Sequence, residues 1–468
     1  MRAQATPAAA GACPAAMSST PPSAADYDPG ASIPAQIGRY RVRSRLGAGA
    51  TSEVYLAYDD FHHIDVAIKR MRYDLAADER EGHYQRRFFA AEAALAGRLQ
   101  HPNVVQIIDA VEDEFAPYLV MEYVPGVTLR RFCRAHALLP LEQVVEIGFK
   151  CAMALGYVFR QGLIHRDVKP ANLLATVDGD QVPDVKVSDF GSVLNLGSDK
   201  TQVFRVGSLA YMSPEQLDGD TLDERSDMYS LAAVLYHLIA GRPPFDATQQ
   251  AALMHQIHHA EPPSLRSLRE GVSPALHELV HRALAKERSE RQGDWNEFAQ
   301  GLSELVQRGE VPRGDQQAVR DSERFTLLRQ LEFFSAFGDV ELWEVVHRAS
   351  WQRHRFGDAL YRKGDRGNTF HIIATGSIEV YREGTKVASL TAGHSVGEMA
   401  YLAPNEELRT HSADVLVQDE ATTISFTPHT LEQLSLNTRH LFDKAFIRVL
   451  VRRLHAAHEA LHHPRRIL

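Results

Sequence analysis

Four polar side chains at fixed spacing could do chemistry in this chain. Asp167, Lys169 and Asn172 stand in His165-Arg166-Asp167-Val168-Lys169-Pro170-Ala171-Asn172, and Asp189 opens Asp189-Phe190-Gly191, 22 residues after Asp167. One carboxylate can orient an attacking hydroxyl and take its proton. A second carboxylate and an amide oxygen can hold a metal ion, and a lysine can offset developing negative charge. Phosphoryl transfer from ATP needs such a set. Mg²⁺ suits it, because that ion takes few protein oxygens and leaves the rest of its shell to phosphate and water. The bland alternative is a chance pair of loop tripeptides, and the elements around them weigh against it.

Arg39 to Ala57 alternates as two paired strands would around the Gly-rich turn Leu46-Gly47-Ala48-Gly49-Ala50-Thr51-Ser52-Glu53-Val54. Glycines there let backbone N–H groups approach phosphates. A dinucleotide-binding unit would need a helix next, but Ile64 to Lys69 reads as another strand. Its last residue, Lys69, follows Gly47 by 22 positions. Gln85 to Gln100 reads as a helix, with Gly97 its one Gly/Pro interruption. Glu92 on it is the partner expected for Lys69, the alternative being a solvated acid. Tyr118 to Val124 is an apolar run suited to a buried strand, and Leu141 to Gln161 is helical in pattern and leads into the Asp167 stretch.

Residues 38–305 together resemble the eukaryotic-like Ser/Thr protein kinases. The resemblance implies a two-lobed fold, ATP with Mg²⁺, and protein substrates. It makes Asp167 the catalytic base, Lys169 a transition-state cation, Lys69 the phosphate-pairing lysine oriented by Glu92, and Asn172 and Asp189 the metal ligands. Gly47, Gly49, Val54, Ala67 and Lys69 would line the ATP site, with Met121 as gatekeeper and Glu122 to Val124 as the hinge that meets adenine. His165 and Phe190 would pack internally, Asp227 would accept hydrogen bonds from the catalytic loop, and Arg291 would pair with Glu215. Lys169 and Gly207-Ser208 follow the Ser/Thr pattern, while Ser213 before Pro214-Glu215 departs mildly from the family's alanine. Phosphate on Thr201 or Ser198 is expected to pair with Arg166 and order the activation segment.

The chain has 468 residues, 44% hydrophobic and 24% charged, with a formal charge of −9. Those are ordinary globular proportions, and the acidic balance gives no support for nucleic acid as a partner. Three cysteines, Cys13, Cys133 and Cys151, form no CxxC pair, which argues against a disulfide scaffold or structural zinc and fits a reducing compartment. No apolar run reaches the ~18–20 residues that span a bilayer. Residues 1–36 are rich in Ala, Pro and Ser and are expected to be disordered. Ala10-Gly11-Ala12-Cys13 lacks the apolar core of a signal peptide.

After a polar stretch around 306–324 the character changes. Leu327 to Trp351 reads helical, with Leu331, Phe334 and Phe337 as anchors, and short strands parted by glycine follow. Gly364, Gly367, Gly376, Gly393 and Gly397 punctuate them, an order that resembles the cyclic-nucleotide-binding domain. The resemblance implies that Gly397, Glu398, Met399 and Ala400 begin a short helix over a cyclic phosphate, that Arg409 clamps the anion, and that Glu398 takes a ribose hydroxyl. Thr410 stands where cGMP-preferring members often carry threonine. Arg409 follows Glu398 by 11 residues, two more than is common. Leu408 and His411 depart from the family's usual residues as well. Arg439 to His463 reads as a long amphipathic helix with Phe442, Phe446, Leu450, Leu454 and Leu461 near one face. Its histidines, His455, His458 and His462, share a side and read as a solvated face rather than a metal site.

The expected architecture is α+β and multidomain: a two-lobed kinase fold, then a C-terminal β-roll with flanking helices. Its expected parts are a tail at 1–36, the catalytic region at 37–305, a linker at 306–324, the nucleotide-binding-like region at 325–438 and a helix at 439–468. The expected protein is a cytoplasmic Ser/Thr kinase without a membrane span, regulated by cAMP or cGMP, with a homodimer open. The alternatives are a kinase whose C-terminal domain lost its ligand and serves as a docking or dimer module, and a pseudokinase scaffold. A transcription factor would need a helix-turn-helix after the sensor, for which too little chain remains.

Overall fold

The computed structural model describes residues 33–49, 52–71, 86, 89–112, 116–178, 181–192, 194–195, 209–312, 321–403 and 409–462. Thr201, Ser198 and Gly207-Ser208 lie outside them, as does the segment 404–408 before Arg409.

The N-terminal lobe is an antiparallel sheet in the order β1-β2-β3-β4-β6-β5. Its strands are β1 (Gln36–Ile37), β2 (Tyr40–Ala48), β3 (Ser52–Asp59), β4 (Ile64–Met71), β5 (Ile107–Val111) and β6 (Tyr118–Glu122). Alternate residues of β3, from Glu53 to Asp59, face inward, as the period-2 sequence requires. Tyr40, Tyr55, Ala57, Val66, Ile68 and Val120 form the small core of this sheet. Gly38 turns β1 into β2 at φ +54, and a Cβ there would lie 2.0 Å from the Tyr118 hydroxyl. Both the angle and the space admit only glycine.

The C-terminal lobe is built on α1 (Leu141–Arg160), which is buried over most of its surface. Short strands β7 (Val127–Thr128), β8 (Leu163–Ile164), β9 (Leu173–Asp178), β10 (Gln181–Val187) and β11 (Leu194–Asn195) carry the loops. Then come α2 (Pro214–Asp218), α3 (Glu224–Ala240), α4 (Gln250–His259), α5 (Leu265–Leu268), α6 (Pro274–Ala283) and α7 (Trp295–Gln307). Asp223 caps α3 by accepting from the Arg225 N–H, and Gly241 ends it in the left-handed region, the usual signals of a helix start and stop.

Helix α8 (Asp321–Gln330) begins inside the stretch expected as a linker. The helix expected over 327–351 is broken. A tight turn at Glu332–Phe334 separates α8 from α9 (Asp339–Arg348), and Trp351 belongs to strand β12 (Ser350–His354), opposite Ile424. Packing is the reason: Phe333, Phe334 and Phe337 all surround Phe442, with ring centroids 5.9, 6.0 and 5.2 Å away. Burying three aromatic rings outweighs helix continuity.

The remaining strands are β13 (Ala359–Tyr361), β14 (Phe370–Thr375), β15 (Ser377–Arg382), β16 (Thr385–Thr391), β17 (Ser395–Val396), β18 (Asp414–Val417) and β19 (Ala421–Phe426). They form two antiparallel sheets, β12-β19-β14-β17 and β13-β18-β15-β16, which make the roll. Helices α10 (Glu398–Leu402), α11 (Pro428–Glu432) and α12 (Leu436–His462) flank it. Phe442 and Phe446 of α12 are buried, but Leu450 and Leu454 are 37% and 71% exposed. The apolar stripe expected along α12 therefore packs at Phe442 and Phe446 and is exposed at Leu450 and Leu454, while the Leu461 side chain lies outside those described.

Helices α8 and α9 join the two halves. Phe149 of α1, Phe325 of α8 and Trp343 of α9 form a ring cluster with centroids 5.4–5.8 Å apart. Around it the buried Lys150 reaches Asp321 at 2.8 Å, and Ser322 donates to Glu146 at 2.6 Å. The indole N–H of Trp343 donates to Asn103 Oδ1 at 2.6 Å. No helix among the described residues is long and apolar enough to cross a membrane.

Candidate active site and nucleotide cradle

Lys69 enters the cleft from β4, paired with Val54 of β3 on one side and Leu119 of β6 on the other. Its ammonium lies 2.7 Å from Glu92 Oε2 and 2.6 Å from Asp189 Oδ1. The structure thus gathers three residues that the sequence scatters over 120 positions. Burial alone would lower the Lys69 ammonium, but Asp189 and Glu92 outweigh it and hold it protonated, above its ordinary value. Lys69 is also the main reason that Asp189 falls to about 2. Glu92 moves the other way because burial dominates over Lys69. One of its oxygens, Oε1, is buried without a partner.

The catalytic-loop residues are set by α3. Asp227 accepts the N–H groups of His165 at 2.7 Å and Arg166 at 2.8 Å. Those bonds hold Arg166 at φ 67, a conformation rare for any residue but glycine and seen where surroundings over-determine it. Burial raises the Asp227 carboxyl, an effect that His165 and the two N–H groups partly offset. Asp167 Oδ2 accepts from Lys169 Nζ at 2.7 Å and from Asn172 Nδ2 at 3.0 Å. Among the described residues no hydrogen bond reaches its Oδ1, the Asn172 Oδ1 or the Asp189 Oδ2; Asn172 spends its N–H₂ on Asp167, and Asp189 sits at φ 65 with Oδ1 on Lys69. An amide oxygen and a carboxylate oxygen are the hard donors that Mg²⁺ takes, so these residues fit that ion.

His165 and Phe190 pack edge-on with centroids 5.0 Å apart, and His165 Nε2 meets the Ser188 carbonyl at 3.0 Å. Gly49 N–H bonds to the Ser52 carbonyl at 2.7 Å, closing the Gly-rich turn, and Gly47 faces Val54 across β2 and β3. Ala67 is buried, while Met121, Glu122 and Val124 are half-buried. The Glu122 carboxylate is taken by Lys186 at 2.9 Å. Beside Lys169-Pro170-Ala171 opens a cleft of about 1150 Å³ lined by Arg130, Arg131 and Arg134.

In the roll, Gly397 precedes α10 at φ 84, and a Cβ there would lie 2.4 Å from the Tyr361 hydroxyl. Glu398 and Ala400 are buried and Met399 is exposed. Thr410 is exposed and bridges Arg366 through the backbone. His411, the unexpected bulky residue, is absorbed by stacking on Tyr361 at 3.8 Å. Three buried polar atoms near α10 and the strand leading from Arg409 have no partner: Ser395 Oγ, Glu398 Oε2 and Arg409 Nε.

A protein kinase domain model matches residues 40–304 and a cyclic nucleotide-binding domain model matches residues 351–437. The chain belongs to the protein kinase family. Its kinase domain is 39% identical over 300 residues to the serine/threonine-protein kinase PknB of Mycobacterium leprae, covering 62% of this chain and 46% of that protein. It is 36% identical over 252 residues to the serine/threonine-protein kinase PrkC of Bacillus subtilis, covering 53% and 38%. The chain thus spans about half the length, or less, of these curated relatives.

Two residues of this kinase escaped sequence reasoning. Arg453 of α12 pairs with Glu398 Oε1 and donates to the Ser395 carbonyl at 2.8 Å. The glutamate expected to meet a ribose is therefore half-taken by the protein's own arginine. The other is Trp343, on the back of the kinase domain. Neither has a local signal, since each meets its partner only through the fold.

Proposed function

We propose that this chain transfers the γ-phosphoryl group of ATP to Ser and Thr hydroxyls of proteins, and that a cyclic nucleotide bound to its C-terminal domain regulates the transfer. The observation that carries the first part is the assembled set of Lys69 on both Glu92 and Asp189, with Asp167 Oδ1 open beside Lys169. Asp167 orients the substrate hydroxyl and accepts its proton at Oδ1. Lys169 holds Asp167 in place and faces the developing negative charge. Lys69 binds phosphate oxygens, kept charged by its two carboxylates. Asn172 and Asp189 hold Mg²⁺, which when bound neutralises phosphate charge. The test is transfer of labelled phosphate from Mg-ATP to a generic Ser/Thr protein substrate by the purified full chain. Labelled Ser or Thr supports the reading, and no transfer by folded protein sinks it.

The second part rests on the unpartnered Ser395 Oγ, Glu398 Oε2 and Arg409 Nε. Buried polar groups are rarely left unpaired, and a ribose hydroxyl and an anionic phosphate would satisfy an acid and a guanidinium. Arg453 competes with the ligand for Glu398. Arg453→Ala is therefore expected to tighten cAMP or cGMP binding, on the order of tenfold for one charge-assisted hydrogen bond. Calorimetric titration measures it, and weaker binding in the variant would mean that Arg453 contacts the ligand instead.

A further inference from the structure

Trp343 stands 240 residues from Asn103 in sequence, yet its indole N–H completes that side chain. Asn103 is fully buried, and its Nδ2 donates to Val185 O and to Asp184 Oδ1, both at 2.7 Å. Its carbonyl accepts from Val187 N at 2.8 Å, and Val105 N donates to Val187 O at 2.9 Å. Asn103 therefore fixes the end of β10, two residues before Asp189. Of the two carboxylates that grip Lys69, Asp189 thus leads back to Asn103.

The opposite face of α9 is tied to the start of α12. Thr438 Oγ1 donates to Glu344 Oε2 at 2.6 Å, the Ser435 N–H reaches the same oxygen at 3.1 Å, and Asn437 donates to Glu341 at 2.6 Å. Farther along, α12 carries Arg453 onto Glu398. One rigid helix, α9, thus touches the kinase domain on one side and the helix of the candidate nucleotide cradle on the other.

We propose that Trp343 is a positioning residue of the phosphoryl-transfer site, holding Asn103 so that Asp189 meets Lys69, and that α9 carries the state of α12 to it. The inference rests on the kinase reading above. Coupling through packed elements requires an element that both sites bias, and α9 is in contact with both.

The test compares steady-state kinetics of full-length wild type, Trp343→Phe and Trp351→Phe. Trp343→Phe keeps a ring against Phe149 and Phe325 and removes the N–H. Trp351→Phe is the control, because its indole nitrogen is buried without a partner. The expected result is a kcat lowered on the order of tenfold in Trp343→Phe, with the KM for ATP changed less than about twofold. Trp351→Phe should match wild type. Glu344→Ala, which removes two of the three bonds named between α9 and the start of α12 with Trp343 intact, should lower kcat in the same direction by about threefold, and it decides the question if Trp343→Phe does not fold. Active wild type with unchanged kcat in both Trp343→Phe and Glu344→Ala overturns the proposal while leaving the kinase reading intact. Inactive wild type removes both.

Discussion

Asp167→Asn is expected to lower phosphate transfer by about 10²–10⁴-fold, the usual worth of a positioned general base. The substitution preserves shape but not chemistry. Asp167 Oδ2 now accepts from both Lys169 and Asn172, and Oδ1 remains for the incoming hydroxyl. An amide can supply one oxygen to that pair, but its nitrogen cannot take a proton. Because Asp167 touches none of the residues expected to line the ATP site itself, meeting only Lys169 and the expected metal ligand Asn172, the KM for ATP should stay within about threefold. Steady-state kinetics with labelled ATP, beside a thermal melt to show equal folding, checks this. A variant retaining more than about a tenth of the wild-type kcat would remove Asp167 from its assigned role.

Arg291→Ala is expected to cost about 3–5 kcal/mol of stability, the range for breaking a buried ion pair. The Arg291 side chain has no exposed surface and meets both oxygens of Glu215, at 2.7 and 3.0 Å. Ser226 Oγ donates to the same carboxylate at 2.7 Å. The pair ties α2, at the end of the activation segment, to the turn before α7. Arg291→Lys should recover little of the loss, because a single ammonium cannot reproduce the planar two-pronged contact. Urea unfolding midpoints measure it.

The pH dependence of that gap has a definite sign. Burial pushes the Glu215 carboxyl up, but its bond and charge contact with Arg291 win and hold it below its ordinary value. A depressed acid stabilises the fold above the ordinary glutamate pKa, about 4.3, and loses that contribution as pH falls through the depressed value. In the variant the orphaned Glu215 protonates more readily. The stability difference between wild type and Arg291→Ala should therefore narrow as pH drops below about 4. A constant difference from pH 7 to 3 would contradict the ion-pair account.

What could be read in the sequence was local. Asp167, Lys169 and Asn172 lie within six residues, so loop geometry alone brings them together. The strand that carries Lys69 was legible from its pattern, whereas the roles of Lys69 and Asp227 came through the resemblance to the kinase family. The break between α8 and α9 was not legible, since it follows from three phenylalanines closing on Phe442, and its one local signal is Gly338 at the N-cap of α9. The exposure of Leu450 and Leu454 on α12 has the same origin. Periodicity marks a face but does not say how much surface there is to cover it. Arg453 and Trp343 were invisible because their partners lie 55 and 240 residues away. The Glu398 expected for a ribose is therefore found partly occupied.

The central claim is that one chain couples a cyclic-nucleotide site to a phosphoryl-transfer site. Its most direct test is kinase activity of the purified full chain at fixed Mg-ATP and substrate, titrated separately with cAMP and cGMP, beside Arg409→Ala. The account predicts a saturable change in kcat with one of the two nucleotides, absent in Arg409→Ala although that variant keeps its basal rate. Activity that stays flat while calorimetry shows nucleotide bound would contradict the coupling. Activity that is flat with no binding to either nucleotide would contradict the sensor itself.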